Sequence, residues 1–227
     1  VALVVGPMLA LLVQALLLQS GKGLAADNVG LAHVKDVVGR GDVRDAALSS
    51  LWLAVVAAAV VVGASVVVGW ARRRGGRGAG VVTGVSGVAE VVYALPGTIV
   101  AVALVLTFSR ELRVIVLEHV TFALVLGGSV GLVLVAYAVK YAALGLRAVD
   151  EALAQVHPSL EEAARTAGAG AGRAFVDVTL PLLRSHLTAA AVAIALPCFT
   201  ELTMSVLLQA PGTQTLGVVL FGLYEYG

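Results

Sequence analysis

Leu51–Trp70, LWLAVVAAAVVVGASVVVGW, is twenty residues without a charge, and Arg72-Arg73-Arg74 follow almost at once. About twenty apolar residues at about 1.5 Å rise each cross the hydrocarbon core of a bilayer. The run therefore reads as a transmembrane helix closed by an interfacial tryptophan and a basic stop. The rest of the chain has the same character: of 227 residues, 59% are hydrophobic and 13% charged, and the mean hydropathy is +0.99. Soluble domains carry about 25% charged residues, and so few charges could not cover a water-facing surface. A soluble enzyme is excluded, and the chain reads as an integral membrane protein.

Four further runs are candidate spans: Val1–Leu18, Val81–Phe108 with Glu90 and a Pro96-Gly97 break, His119–Val139 ending at Lys140, and Leu187–Leu208 around Pro197 and Glu201. Helices are the expected element, because lipid forbids unpaired backbone and strand-type alternation is not evident. The 71–80 connection holds Arg72, Arg73, Arg74 and Arg77 without an acid, and the segment from Lys140 to Arg184 holds five basic residues. The positive-inside rule puts both in the cytoplasm, as alternating helices also require. Lys140 is expected to snorkel to the inner interface. The sequence opens on Val1 inside an apolar run, without a recognisable signal peptide, and Leu216–Tyr226 resembles the approach to another helix. The chain is therefore expected to be part of a longer one.

The formal charge of +1 and the lack of a basic face interleaved with aromatics argue against a nucleic-acid partner. One cysteine, Cys198, permits neither an internal disulfide nor a cysteine metal cluster. His33 and His119 fall on the outer side and His157 and His186 on the inner, so no metal site is expected.

Residues 143–186 form the sizeable polar stretch of the inner side, and a loop of that length should have structure of its own. Ser159 is a candidate N-cap with Glu162 as capping-box partner. Gly168, Gly170 and Gly172 are expected to end that helix, and a second, near Arg173–Val178, to run into Leu180-Pro181. Glu162-Ala163-Ala164, three residues, Gly168, nine residues, then Val178-Thr179-Leu180-Pro181 resembles the EAA loop of ABC importer permeases, with Val178 where isoleucine is usual. The resemblance implies that Leu160–Val178, including Glu161, is the coupling helix that docks on an ATPase. A rigid protrusion suits that role. Ala163 and Ala164 allow close docking, Gly168 a sharp turn, and Pro181 fixes where the membrane helix begins. This chain has no Gly-rich run ending in Lys-Ser or Lys-Thr. It is therefore expected not to be an enzyme and to bind no cofactor, with ATP and Mg on the partner.

Tyr93-Ala94-Leu95-Pro96-Gly97-Thr98, the His157–Arg165 approach to the loop, and Glu201–Ser205 with Pro211–Leu216 are similar to permeases for ferric iron and related ligands. The similarity covers roughly residues 50–225. It implies an all-α type I ABC importer transmembrane domain over residues 1–227, with about five spans of a six-helix core. Implied partners are two ATPase subunits, a second permease core (an identical copy or a fused half), a periplasmic or lipid-anchored substrate-binding protein, and the bilayer of a bacterial inner membrane. Ferric iron is the expected cargo, with thiamine, phosphonate, sulfate or polyamine as alternatives.

An acid inside a span is costly and marks a candidate functional residue. Glu201, four residues after Pro197 and so expected on the same helical face, is a candidate for the translocation path with Thr203 and Ser205, or else a structural hydrogen-bonding group. Glu90, expected to reach the interface or pair with an arginine, and Pro96-Gly97, expected to kink or locally unwind the third span, are further path candidates. An ion-coupled transporter using Glu201 and Glu90 is the alternative of another class. A membrane-embedded enzyme would need a convergent catalytic set, and none can be assembled from one side of the membrane.

Overall fold

The computed structural model describes residues 2–19, 22, 25, 28–75, 79–108, 112–117, 120–124, 129–209 and 214–226. Helix α1 (Ala2–Leu16) and the short α2 (Ala32–Gly39) precede α3 (Gly41–Arg74), a 34-residue helix that contains the Leu51–Trp70 run. It starts ten residues earlier than that run because DVRDAALSS contains no helix breaker. At about 1.5 Å per residue α3 is about 51 Å long and extends past the hydrocarbon core. Its partners are α6 (Val130–Ala154) and α9 (Leu180–Phe199).

The packing reverses the habit of a soluble core. Small residues of α3, among them Ala54, Ala57, Ala58 and Ser65, are buried, whereas Val55, Val60 and Val67 are exposed. Apolar side chains gain nothing by leaving lipid for protein, so contact is won by small residues that let backbones approach. Gly145 on α6 shows the limit: a Cβ there would stand 2.5 Å from Val61 Cγ1 and 2.7 Å from Ser65 Oγ. Leu53, Leu132, Tyr137, Ile194, Cys198 and Met204 fill the central core. A second cluster, Val149, Leu153, Phe175 and Leu183 with Trp70, closes the end of the bundle where α3 finishes in Arg72–Arg74. Trp70, read as interfacial, meets Phe175 at 5.7 Å and lies under the Arg74 guanidinium at 4.8 Å.

Among the described residues, three helical stretches are long and apolar enough to cross a membrane: Gly41–Arg74, Val130–Ala154 and Ala171–Phe199. A broken pair, α4 (Ala79–Ala94) and α5 (Gly97–Phe108), makes a fourth if counted as one span. The bend is 117°, the unwinding expected at Pro96-Gly97. Proline lacks an N–H and pushes the residue before it out of the helical region, and glycine adds backbone freedom. The first candidate span shortens to the fifteen residues of α1, about 22 Å long. Helix α11 (Leu216–Tyr226) lies against the start of α3, where Leu216 N–H donates to Ser50 Oγ at 2.8 Å.

The expected fourth span, His119–Val139, is corrected. Antiparallel strands β1 (Leu112–Leu117) and β2 (Val120–Leu124) pair Leu112 with Leu124 and Val114 with Phe122, and α6 begins only at Val130. The 112–124 segment is rich in β-branched and aromatic residues, which favour a pleated strand, and apolarity alone does not select a helix. Because α6 runs on to Ala154, residues 143–154 of the expected polar loop are helix. Residues 171–186 likewise belong to a continuous helical stretch, Ala171–Phe199. The connecting elbow is therefore residues 155–170.

Candidate functional site

The elbow is built from its caps. His157 is extended and N-caps α7 (Pro158–Thr166), with Pro158 in the first turn, where a missing N–H costs nothing. His157 Nδ1 accepts from the Ser159 N–H at 3.2 Å. Ser159 is thus inside the helix, and the Ser159–Glu162 capping box does not form: the proline starts the helix two residues earlier than the serine requires. At the other end Gly168 takes φ +95°, a conformation glycine adopts without strain, and its N–H reaches the Arg165 carbonyl at 3.0 Å. Gly170 caps α8 (Ala171–Ala174), while Gly172 lies within that helix and breaks nothing.

A π-helical turn, Phe175–Thr179, joins α8 to α9. Leu180 N–H reaches back five residues to the Phe175 carbonyl, and this wider turn accommodates Pro181 without ending the helix. The expected stop at Pro181 and the separate Arg173–Val178 helix are therefore both replaced by one rod. Val178 and Leu180 are half-buried along it, and Pro181 is exposed.

The two adjacent glutamates divide. Glu161 Oε1 accepts from Arg73 at 3.2 Å and from the buried Thr179 hydroxyl at 2.6 Å. Glu162, Leu160 and Ala163 face outward, and Ala164 is half-buried. Arg73, in the last turn of α3, also donates to the Leu153 carbonyl and, at 3.0 Å, to the Val156 carbonyl, the open C-terminal end of α6. One guanidinium thus ties α3, α6 and the elbow together. Its neighbour Arg72 pairs with Asp150 and donates to Ser86. The arginines that end α3 and the charges of the elbow lie together at one end of the molecule. A polar cleft of about 190 Å³ opens between Arg73, Pro158, Glu161, Glu162 and Arg165.

The second group of candidate residues meets beside the middle of α6, beyond the end of α9. Glu201 lies between α9 and α10 (Thr203–Leu207), in the break after Thr200, and not on a helical face shared with Pro197. Its Oε1 accepts from the Thr203 hydroxyl at 2.5 Å and the Met204 N–H at 3.1 Å, and its Oε2 from the Tyr141 hydroxyl at 2.9 Å. The side chain therefore caps α10 by accepting from an N–H of its first turn. Ser205, buried, donates to the Glu201 carbonyl at 2.6 Å. Gly97, opposite, admits no side chain: a Cβ would lie 2.8 Å from Thr203 Oγ1 and 3.2 Å from Met204 Cγ.

Lys140 does not snorkel to the inner edge. It is the eleventh residue of α6, and its Nζ donates to the Tyr93 carbonyl at 2.9 Å and to the Leu95 carbonyl. These acceptors are freed where α4 stops before Pro96, and a lysine donor answers a need that lipid cannot. Glu90 is apart from this junction. It pairs with Arg147, seven residues or about 10 Å further along α6, through two hydrogen bonds, one of 2.6 Å. The structure thus gathers Pro96, Gly97, Glu201, Thr203 and Ser205 and leaves Glu90 on its arginine. Arg73, Thr179, Lys140 and Tyr141 are site residues that the sequence alone did not single out. A cue existed for Lys140, since a Pro-broken helix in lipid needs a donor for its last carbonyls. His119 and residues 210–213 lie outside the described residues.

Residues 62–224, more than two thirds of the chain, match the family model described as "Binding-protein-dependent transport system inner membrane component". No match is found among curated proteins. The match spans the packed helices, the elbow and the junction of the two helix breaks together. The chain belongs to the family of inner-membrane components of binding-protein-dependent transport systems, the permease subunits of ABC importers.

Proposed function

We propose that this permease is driven by an ATP-hydrolysing partner docked on the elbow, and that its cargo is ferric iron delivered by a separate binding protein. The observation that carries the docking reading is the division of the glutamates. Glu161 anchors α7 to Arg73 and Thr179, so Glu162, Leu160 and Arg165 are presented outward on a braced helix. A surface that must receive a push is useful only when its far side cannot yield. ATP and Mg belong to the partner in this reading, a second permease core completes the path, and the assembly sits in a bacterial inner membrane. The Pro96-Gly97 and Thr200–Leu202 breaks supply polar backbone beside the middle of α6, which suits a path lined by the exposed Thr203, with Ser205 buried behind it. Glu201, with both oxygens engaged, acts there as a fixed cap and not as a mobile carrier.

The cargo reading is supported by the likeness of Tyr93–Thr98 and His157–Arg165 to ferric-iron permeases. The test is uptake into proteoliposomes holding the chain with its ATPase and binding protein. ATP-dependent accumulation of radioactive iron, abolished by Glu162→Lys while the complex still folds, is the expected result. Uptake that follows a proton or sodium gradient and ignores ATP would overturn the reading. ATP-dependent uptake of thiamine or sulfate but not iron would overturn the cargo alone.

A further inference from the structure

Two adjacent residues of α6 each hold one of the two helix breaks. Lys140 Nζ holds the Tyr93 and Leu95 carbonyls at the end of α4. The Tyr141 hydroxyl, on a residue 7% exposed, holds Glu201, which in turn holds the first turn of α10 through Thr203 and Met204. Consecutive helix residues point about 100° apart, so one level of α6 can serve two neighbours at once. The breaks also touch directly, because Gly97 leaves no gap against Thr203 and Met204.

We infer that Lys140 and Tyr141 are positioning residues that bind the α4–α5 bend and the α9–α10 break into one unit, so that the two shift together when the path opens. A break within a bilayer frees backbone groups that only protein or enclosed water can satisfy. A break that moves must therefore carry its partners along or exchange them. Had each break its own partner on a separate helix, each could move alone. Here both partners sit on one unbroken stretch of α6, and release of either alters the footing of the other. The role in transport rests on the importer reading, but the joint itself does not.

The test is hydrogen–deuterium exchange on the full chain in lipid nanodiscs, which needs neither ATPase nor cargo. Tyr141→Phe removes one hydroxyl and no bulk. It is expected to raise exchange at 203–207 and, across the joint, at 97–100, each by about threefold or more, while amides 53–62 of α3 keep their protection. Lys140→Met is expected to raise exchange at both segments more strongly, and Lys140→Arg to restore most of the protection. If Lys140→Met does not fold, Tyr141→Phe decides alone. A folded Tyr141→Phe whose change is confined to 201–207 overturns the proposal. Loss of ATP-driven uptake by the unaltered complex would instead count against the importer reading and leave the exchange result standing.

Discussion

The inner-end joint and the mid-membrane joint are built on one plan. In each, a cation on an unbroken helix reaches the last carbonyls of a neighbour: Arg73 to Leu153 and Val156, Lys140 to Tyr93 and Leu95. In each, a glutamate takes a hydroxyl from the next segment: Glu161 from Thr179, Glu201 from Thr203. Cations suit helix C-termini and acids suit N-termini, so the shared plan follows from the helix dipole and the open terminal groups. The environments differ. At the inner end, water can replace a lost side chain; halfway across, lipid cannot. The same chemistry is therefore support in one place and a requirement in the other.

The contrast is tested most severely by removing both cations in the same manner. Lys140→Met strands two carbonyls at a penalty of about 1–3 kcal/mol each, so the loss in folding free energy should reach about 2–6 kcal/mol. Reversible unfolding in mixed micelles measures it. Arg73→Met should cost less, about 1–2 kcal/mol, because solvent takes over the carbonyls. Equal losses for the two variants would show that water reaches both joints alike.

Glu201→Gln should have an effect of intermediate size. The amide oxygen can keep Thr203 and Met204 while the amide nitrogen donates to a reversed Tyr141 hydroxyl, so a charge-assisted pair becomes a neutral one, at about 1 kcal/mol. Thermal unfolding is the readout, and a change below about 0.5 kcal/mol would show that the charge of Glu201 adds nothing to the joint. The smallest effect belongs to Glu162→Gln, an exposed residue, which should move stability by no more than about 0.5 kcal/mol while reducing ATPase stimulation in the assembled complex. Unchanged stimulation would shift the docking role from Glu162 to another outward residue of α7.

Much of this plan is readable from the sequence. The apolar runs point to the membrane class, and the arginines after Trp70 together with the charges of the elbow identify one end of the molecule. The EAA-like spacing locates the elbow, including the turn at Gly168. Three things are not readable, for separate physical reasons. Hydropathy scores lipid compatibility and not secondary structure, so residues 112–124 pass for part of a span. Adjacent glutamates are indistinguishable until helix phase is fixed, and the phase of α7 depends on Pro158 rather than Ser159. Lys140 reads as an edge residue because a charge after an uncharged run usually marks one. Its purpose becomes visible only once the bend at Pro96 is placed beside it.

The π-helical turn at Phe175–Thr179 has a mechanical result. By absorbing Pro181 it leaves Ala171–Phe199 as one 29-residue shaft, about 43 Å long, with the elbow at its foot and the Glu201 break at its head. A shaft of that length is a lever. Tilting its foot by about 5° sweeps its head through about 4 Å at the 1.5 Å rise of a helix, close to the width of a water molecule with room to spare. A small nudge at the inner surface is thus magnified where the two breaks meet.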